Sequence, residues 1–289
     1  MQFLILEKKQ KKFLNKMKNV IPDWLLEDNI KRTKKYKRNL DDELFLQLIN
    51  NKFKKFEIKN ESSIQKNQKP IIFFFGMPRN GKTLFSQILT NSLDLGFPNN
   101  LIARFFKAPS VGIRLTKILE KYFDEESELT SDYGKTFKLN EPHDFAYFWQ
   151  DLFKIKNIVY NYKLNEKKID WCFVKKKLNI FANTFNKALL FKGFYPSYHI
   201  HKINAVYRNS YFIYIKRDFI DCAISLTKAR IKNYNDKNKW FGQTPSPNQY
   251  NKLKLLPYYE QIGGQFYYLE KMIEESLKKI PKDKKLIIN

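Results

Sequence analysis

The strongest constraint on this chain is a run of apolar residues that stops at a loop bounded by glycines. Ile71-Ile72-Phe73-Phe74-Phe75 leads directly into Gly76-Met77-Pro78-Arg79-Asn80-Gly81-Lys82-Thr83. A continuous apolar run between turn signals suits a strand buried on both faces, the setting of a parallel sheet. After the loop, Lys82 to Ser92 places Leu84, Ile88 and Leu89 on one side of an amphipathic helix. Between a strand and a helix, the pattern G-x-x-x-x-G-K-[ST] has a physical meaning. The backbone N–H groups of the turn and of the helix N-terminus converge on a phosphate. Arg79 and Lys82 add charge, and the Thr83 hydroxyl adds a donor. A tight turn that serves packing alone is the competing explanation.

The rest of the chain alternates in the same way. Helical patterns cover about 109–123, 143–155 and 170–187. A second apolar strand, Ala188 to Phe191, ends at Lys192; a third, Tyr211 to Ile215, ends at Lys216-Arg217-Asp218 and enters a helix through Thr227. A long helix follows over about 257–279, and Leu286-Ile287-Ile288 reads as a last strand where the chain stops. Strands alternating with helices predict an α/β protein: a P-loop-type three-layer fold with a central, mainly parallel sheet over residues 70–289. Residues 1–69 differ in character. They are Lys-rich, lack glycine and carry helical patches such as Asp41 to Ile49, so a basic helical extension or linker is expected there. Glu61 to Lys69 reads as a polar loop. The string Lys31 to Arg38 reads as a solvated linker or as a patch for anionic lipid or nucleic acid.

Composition narrows the function. Two cysteines, Cys172 and Cys222, support neither a disulfide framework nor a Cys-rich zinc site, and three histidines do not make a multi-histidine centre. The net charge of +25 attracts anions, yet only eight of the 54 basic residues are Arg. A scattered Lys excess argues weakly for nucleic acid, whose footprints are clustered and Arg-rich; a non-enzymatic nucleic-acid binder is kept as one alternative. Met1 to Leu6 is too short for a signal-peptide core, and no apolar run approaches the ~20 residues of a spanning helix. The cytoplasm is the expected location.

The loop first suggests a kinase or nucleotide triphosphatase using ATP and Mg²⁺. Such enzymes hold the metal through an acidic residue after a second hydrophobic strand. Here the strands end in Lys192, in Lys216-Arg217 and in Asn289 instead. Strand ends that carry cations suit a bound anion without a metal.

Phe75 to Leu84 resembles the 5′-phosphosulfate loop of sulfotransferases, G-x-P-[RK]-[ST]-G-[TS]-[TS]-L. Tyr211 to Ser225 resembles that family's 3′-phosphate site, an apolar strand, Arg-Asp, and a Ser eight positions after the Arg; Arg217 and Ser225 have that spacing. Phe191-Lys192-Gly193-Phe194-Tyr195-Pro196 lies where the family has a strand ending in Lys. Asn140-Glu141-Pro142-His143-Asp144-Phe145, Trp240-Phe241-Gly242 and Leu255 to Ile262 are similar to stretches of bacterial carbohydrate-type members. The chain departs from the pattern at Asn80 and Lys82, where Ser or Thr is usual, and at Phe194, where cytosolic small-molecule members have a His. It also ends at Asn289 without the segment that follows the family's last strand, so a shortened or truncated C-terminus is expected.

The resemblance implies transfer of a sulfuryl group from 3′-phosphoadenosine 5′-phosphosulfate (PAPS), with no metal, to a hydroxyl or amine of a carbohydrate or other small acceptor. It implies that Arg79, Asn80, Gly81, Lys82, Thr83 and Leu84 hold the 5′-phosphosulfate. Arg217 and Ser225 would hold the 3′-phosphate, and Lys192 would neutralise charge on the transferring group. Lys192 as a surface residue at a strand edge is the alternative. The acceptor needs a base, for which Glu141 and His143 are the candidates; a helix-capping role for the Glu141 to Asp144 stretch competes with that. His199 and His201 read as packed or surface residues, Asp218 as a helix cap, and Phe145 to Trp149 as core, with Trp149 also a candidate to line an acceptor cleft. Nothing in the sequence specifies the oligomeric state.

Overall fold

The computed structural model describes residues 20–59, 69–123 and 129–289. Met1 to Leu6 and nearly all of the loop expected at Glu61 to Lys69 lie outside the described residues. Four parallel strands, β1 (Ile71–Gly76), β2 (Leu189–Lys192), β3 (Ser210–Ile215) and β4 (Lys285–Ile288), form one sheet in the order β2-β1-β3-β4. Their register explains the aromatic runs. Phe73 stands opposite Phe191 and Phe212, and its ring stacks on both at 5.8 and 5.6 Å. Trp149 meets Phe191 edge-on from the layer above. Such ring pairs add specificity to plain apolar burial.

The helices, in chain order, are α1 (Asp23–Lys31), α2 (Leu40–Lys59), α3 (Lys82–Ser92), α4 (Pro109–Leu119), α5 (Ala146–Leu152), α6 (Tyr162–Glu166) and α7 (Trp171–Phe185). They continue with α8 (Ile200–Val206), α9 (Phe219–Tyr234), α10 (Pro247–Leu253) and α11 (Tyr258–Lys278). On one sheet face α3 packs Phe85 and Leu89 against Phe74, Leu190 and Ile215. The other face carries the main core, built with α5, α7, α9 and α11 around Phe73, Phe75, Phe191, Phe212 and Tyr214. The result is an α/β fold whose central parallel sheet is flanked by helices. β1 is reached from β2 on one side and β3 on the other, so the loop after β1 opens at the switch point where α/β sheets hold ligands.

Some elements end where the backbone turns left-handed. The pattern over 143–155 suggests a longer helix than α5, but Phe145 sits at φ 53° before it and Lys154 at φ 55° after it. α9 runs past Thr227 to Tyr234 and stops at Asn235, φ 55°. Asp218 caps that helix as expected, accepting from the Asp221 N–H at 3.0 Å.

α1 and α2 bury Ile21, Leu25 and Leu44 together beside Tyr147. Thr33 donates to the Asn233 and Lys232 carbonyls at 2.8 and 2.7 Å, and the Tyr36 hydroxyl donates to Asp132 at 2.9 Å. Glu57 is fully buried and accepts the Ser110 hydroxyl. No helix among the described residues is long and apolar enough to cross a membrane.

Candidate functional site

The loop after β1 is held open by its own side chains. The Asn80 amide donates to the Ile215 carbonyl at 2.6 Å, which ties the loop to the end of β3. That bond passes over Gly76, where any Cβ would collide with the Asn80 amide and the Ile215 carbonyl. Arg79 takes a left-handed φ of 69°, a strained conformation that non-glycine residues keep mainly at functional sites. Gly81, at φ 92°, precedes the first turn of α3, and the first N–H of that helix, that of Lys82, donates to Asn80 Oδ1 at 3.4 Å.

Lys82 behaves differently from a cation aimed at a ligand. Its Nζ donates to the Gly76 and Met77 carbonyls at 3.0 and 2.7 Å and to Asn80 Oδ1 at 2.9 Å. The two departures from the family loop, Asn80 and Lys82, are therefore one feature: each holds the other. Burial lowers the Lys82 ammonium to about 8, against which the charge of Asp144 works only in part.

The neighbouring strands bring the other charges. At the end of β2, Lys192 is 2% exposed, so it is not a surface residue at a strand edge. Its Nζ lies 3.1 Å from Asp144 and donates to Thr83 Oγ1 and the Pro142 carbonyl at 3.4 and 3.5 Å. Beyond β3, the Arg217 guanidinium pairs with Asp221 at 2.9 Å one helical turn away. Ser225 accepts from Arg79 Nε at 3.1 Å, so the loop after β1 and the helix after β3 touch directly.

These groups surround one cleft. It is lined by Arg79, Asn80, Gly81, Lys82 and Thr83 from the loop and by Arg217 and Ser225 from the β3 side, with Lys192 behind Thr83 and Asp144. Its unfilled space, counted out to the open mouth, is about 830 Å³. Leu84 does not line it; its side chain is about half exposed on α3.

Neither candidate base lines the cleft. Glu141 is buried and its carboxylate accepts from Gln87 at 2.9 Å and from the Phe137 and Lys138 N–H groups at 2.8 and 2.9 Å. It anchors a turn of the preceding loop. His143 Nδ1 accepts the Phe145 N–H at 2.8 Å, and burial lowers its pKa to about 4. Among the described residues, the carboxylate in the cleft is Asp144, which caps no helix. Burial pushes its carboxyl up, but Lys192, His143 and Lys82 outweigh this and hold it below the usual range.

Further wall residues carry weak sequence signals. Tyr133 and Gly134 form a turn whose ring lies 5.0 Å from the Arg79 guanidinium and whose Gly134 carbonyl accepts from Thr83 at 3.4 Å. Asp132-Tyr133-Gly134 reads as a turn, which alone does not mark a site. Phe241, Gly242 and Gln243 close the opposite side. Gln265 holds their backbone through the Phe241 and Gln243 carbonyls, and the fully buried Arg230 holds Gln265 at 3.3 Å. Trp149 is core, and His199 lies buried between Tyr160 and Glu166, away from the cleft.

A family model described as the sulfotransferase family matches residues 70–262. No curated protein sequence matches the chain. Among solved structures, the sulfotransferase STF9 from Mycobacterium avium is similar at a TM-score of 0.53 and 13% identity, over 91% of this chain and 71% of that one. The sulfotransferase STF1 from Mycobacterium tuberculosis H37Rv is similar at 0.51 and 10%, over 86% and 70%. At these identities the likeness is one of fold.

Proposed function

The chain belongs to the sulfotransferase family, and from that premise we propose that it transfers a sulfuryl group from PAPS to a hydroxyl or amine of a carbohydrate or other small acceptor. One observation carries this reading: the phosphate-type loop after β1 and the Arg217/Ser225 pair after β3 line a single cleft, with Lys192 at the end of β2 directly behind Thr83 and Asp144. The residues fit a doubly anionic nucleotide. The N-terminal turn of α3 and Arg79 would meet one anionic group, and Arg217 and Ser225 a second.

Bound PAPS would supply the sulfuryl group, which passes to the acceptor as its bond to the 5′-phosphate oxygen breaks and adenosine 3′,5′-bisphosphate leaves. The chain supplies positioning and charge. Thr83 and the loop N–H groups orient the anion, while Asn80 and Lys82 keep the loop in the shape that presents them. Lys192, buried beside Thr83, faces the charge that develops on the departing oxygen. Asp144 replaces Glu141 and His143 as the group that takes the acceptor's proton, because it lines the cleft and stays ionised at neutral pH. Phe194 and Phe241 give the acceptor apolar walls.

Calorimetry with adenosine 3′,5′-bisphosphate and with ATP·Mg²⁺ tests the reading. Tight bisphosphate binding without added metal is expected. Tight ATP·Mg²⁺ binding with no response to the bisphosphate would establish the kinase alternative instead.

A further inference from the structure

The basic string Lys31 to Arg38 reads from sequence as a solvated linker or an anion patch, yet its middle is fastened down. Lys34–Tyr36 forms one 3₁₀ turn, and Tyr36 is 6% exposed. The Tyr36 hydroxyl donates to Asp132 at 2.9 Å, and Lys35 Nζ stands 3.0 Å from the same carboxylate. Just before them, Thr33 donates through its N–H and its hydroxyl to the Asn233 and Lys232 carbonyls at the end of α9. Thr33, Lys35 and Tyr36 all precede residues 70–262, so these contacts come from the segment in front of the matched domain.

Asp132 opens a tight turn. The Asp132 and Lys135 backbones bond to each other in both directions, at 2.9 and 3.1 Å. Between them Tyr133 and Gly134 take left-handed φ values of 50° and 91°. Glycine adopts such a φ freely; a tyrosine keeps it only where its surroundings hold it there. Those surroundings are supplied from the front segment. Tyr36 and Lys35 fix Asp132, and Lys232, whose carbonyl Thr33 binds, has its Nζ 5.2 Å from the centre of the Tyr133 ring.

The far side of the turn touches the loop after β1 twice. The Tyr133 ring lies 5.0 Å from the Arg79 guanidinium, and the Gly134 carbonyl accepts from Thr83 at 3.4 Å. Arg79 is itself left-handed, and its Nε donates to Ser225. A guanidinium is drawn to the negative face of an aromatic ring, so the position of Tyr133 helps to set where Arg79 rests. We propose that Tyr36 is a positioning residue of the cleft: through Asp132 it holds the Tyr133 ring against Arg79, and so keeps Arg79 in place for the anion of the bound nucleotide. The proposal rests on the reading of the cleft as a nucleotide site.

Calorimetry with adenosine 3′,5′-bisphosphate on the full chain tests it, with thermal melts on the same samples. Tyr36→Phe removes one hydroxyl and no charge, and should weaken bisphosphate binding about fivefold. Tyr207→Phe is the control. It removes a hydroxyl that donates to the Lys69 carbonyl at 2.8 Å just before β1, at the other end of the sheet from the cleft. It should lower the Tm and leave the affinity unchanged. In the background of Tyr133→Ala, Tyr36→Phe should alter affinity by less than about twofold, because the ring through which it acts is gone. Three results would each overturn the role of Tyr36: an unchanged affinity in Tyr36→Phe, an equal loss in Tyr207→Phe, or an undiminished effect without the Tyr133 ring. Failure of the bisphosphate to bind the wild-type chain is a different result, and it overturns the reading of the cleft on which the proposal rests.

Discussion

Lys192 is 2% exposed, and Lys82 donates to three oxygens of its own loop. At the other end of the same cleft, the Arg217 side chain is 46% exposed and pairs with a carboxylate on its own helix surface. The β1 and β2 end is thus built into the core, its cations held before any ligand arrives. The β3 end is a surface feature that a ligand must organise. Substitutions at the first end should therefore cost turnover or stability, whereas substitutions at the second should cost affinity alone.

The largest effect is expected at Lys192. Lys192→Ala removes the buried charge nearest Thr83 and Asp144. Loss of one preorganised electrostatic group should lower turnover by about 10²–10³-fold. Bisphosphate affinity should fall far less, since that product carries no transferring group. Initial rates and calorimetry on one preparation separate the two. A turnover within a factor of about three of wild type would remove Lys192 from the transfer step.

Lys82 tests whether a cation can serve the loop rather than the ligand. Lys82→Thr removes three donated hydrogen bonds while keeping a hydroxyl. A stability loss of about 1–3 kcal/mol is expected, seen as a Tm lower by several degrees. The pH dependence follows from burial, which brings the folded ammonium down to about 8 from its ordinary 10.5. Between those values the unfolded chain binds more protons than the folded one. This group's contribution to stability therefore rises with pH over that window, and the gap between wild type and Lys82→Thr should widen there. Bisphosphate affinity should move the other way, falling as pH rises through about 8 and doing so only in the protein that has Lys82. A kinase would behave otherwise, with transfer abolished by the substitution because that lysine contacts the transferred phosphate.

The contrast between the two ends also marks what the sequence could reveal. The apolar run into Gly76, the cations at the strand ends and the Arg217 to Ser225 spacing are local patterns, and the parallel sheet brings them together. The placement of Asp144 in the cleft is not local. From sequence the residue resembles a helix cap, because Pro142 precedes it and a helix follows. Its partner is Lys192, at the end of β2 and far away in sequence, and the left-handed Phe145 stands between Asp144 and the first residue of the helix. Glu141 misleads for the reverse reason: its motif suggests a base, but its carboxylate is consumed by two backbone N–H groups and Gln87. The Asn80–Lys82 pair reads as two departures in sequence and as one interaction in the fold.

At the β3 end, Arg217→Ala should leave the fold intact, since the side chain is half exposed and its ion pair is a surface one. Loss of one charge-assisted contact to a partly solvated phosphate should weaken bisphosphate binding about tenfold, the lower end of the range for such contacts. An unchanged dissociation constant in the folded variant would show that the 3′-phosphate is held elsewhere.

The smallest effect has the opposite sign. Asp221 sits one turn after Arg217 and competes with any anion for its guanidinium. An exposed i,i+4 pair is worth only about 0.3–0.5 kcal/mol, so Asp221→Asn costs little stability. It also removes a negative charge beside the site where the second phosphate would lie. Bisphosphate binding should therefore tighten, by about two- to fivefold, or less than 1 kcal/mol, and the gain should shrink as salt is raised. The gain should be smaller in the background of Arg217→Ala, because only the removal of the negative charge then remains and no guanidinium is freed. If Asp221→Asn weakens binding instead, the ion pair holds Arg217 in its binding position, and the β3 end is preorganised after all.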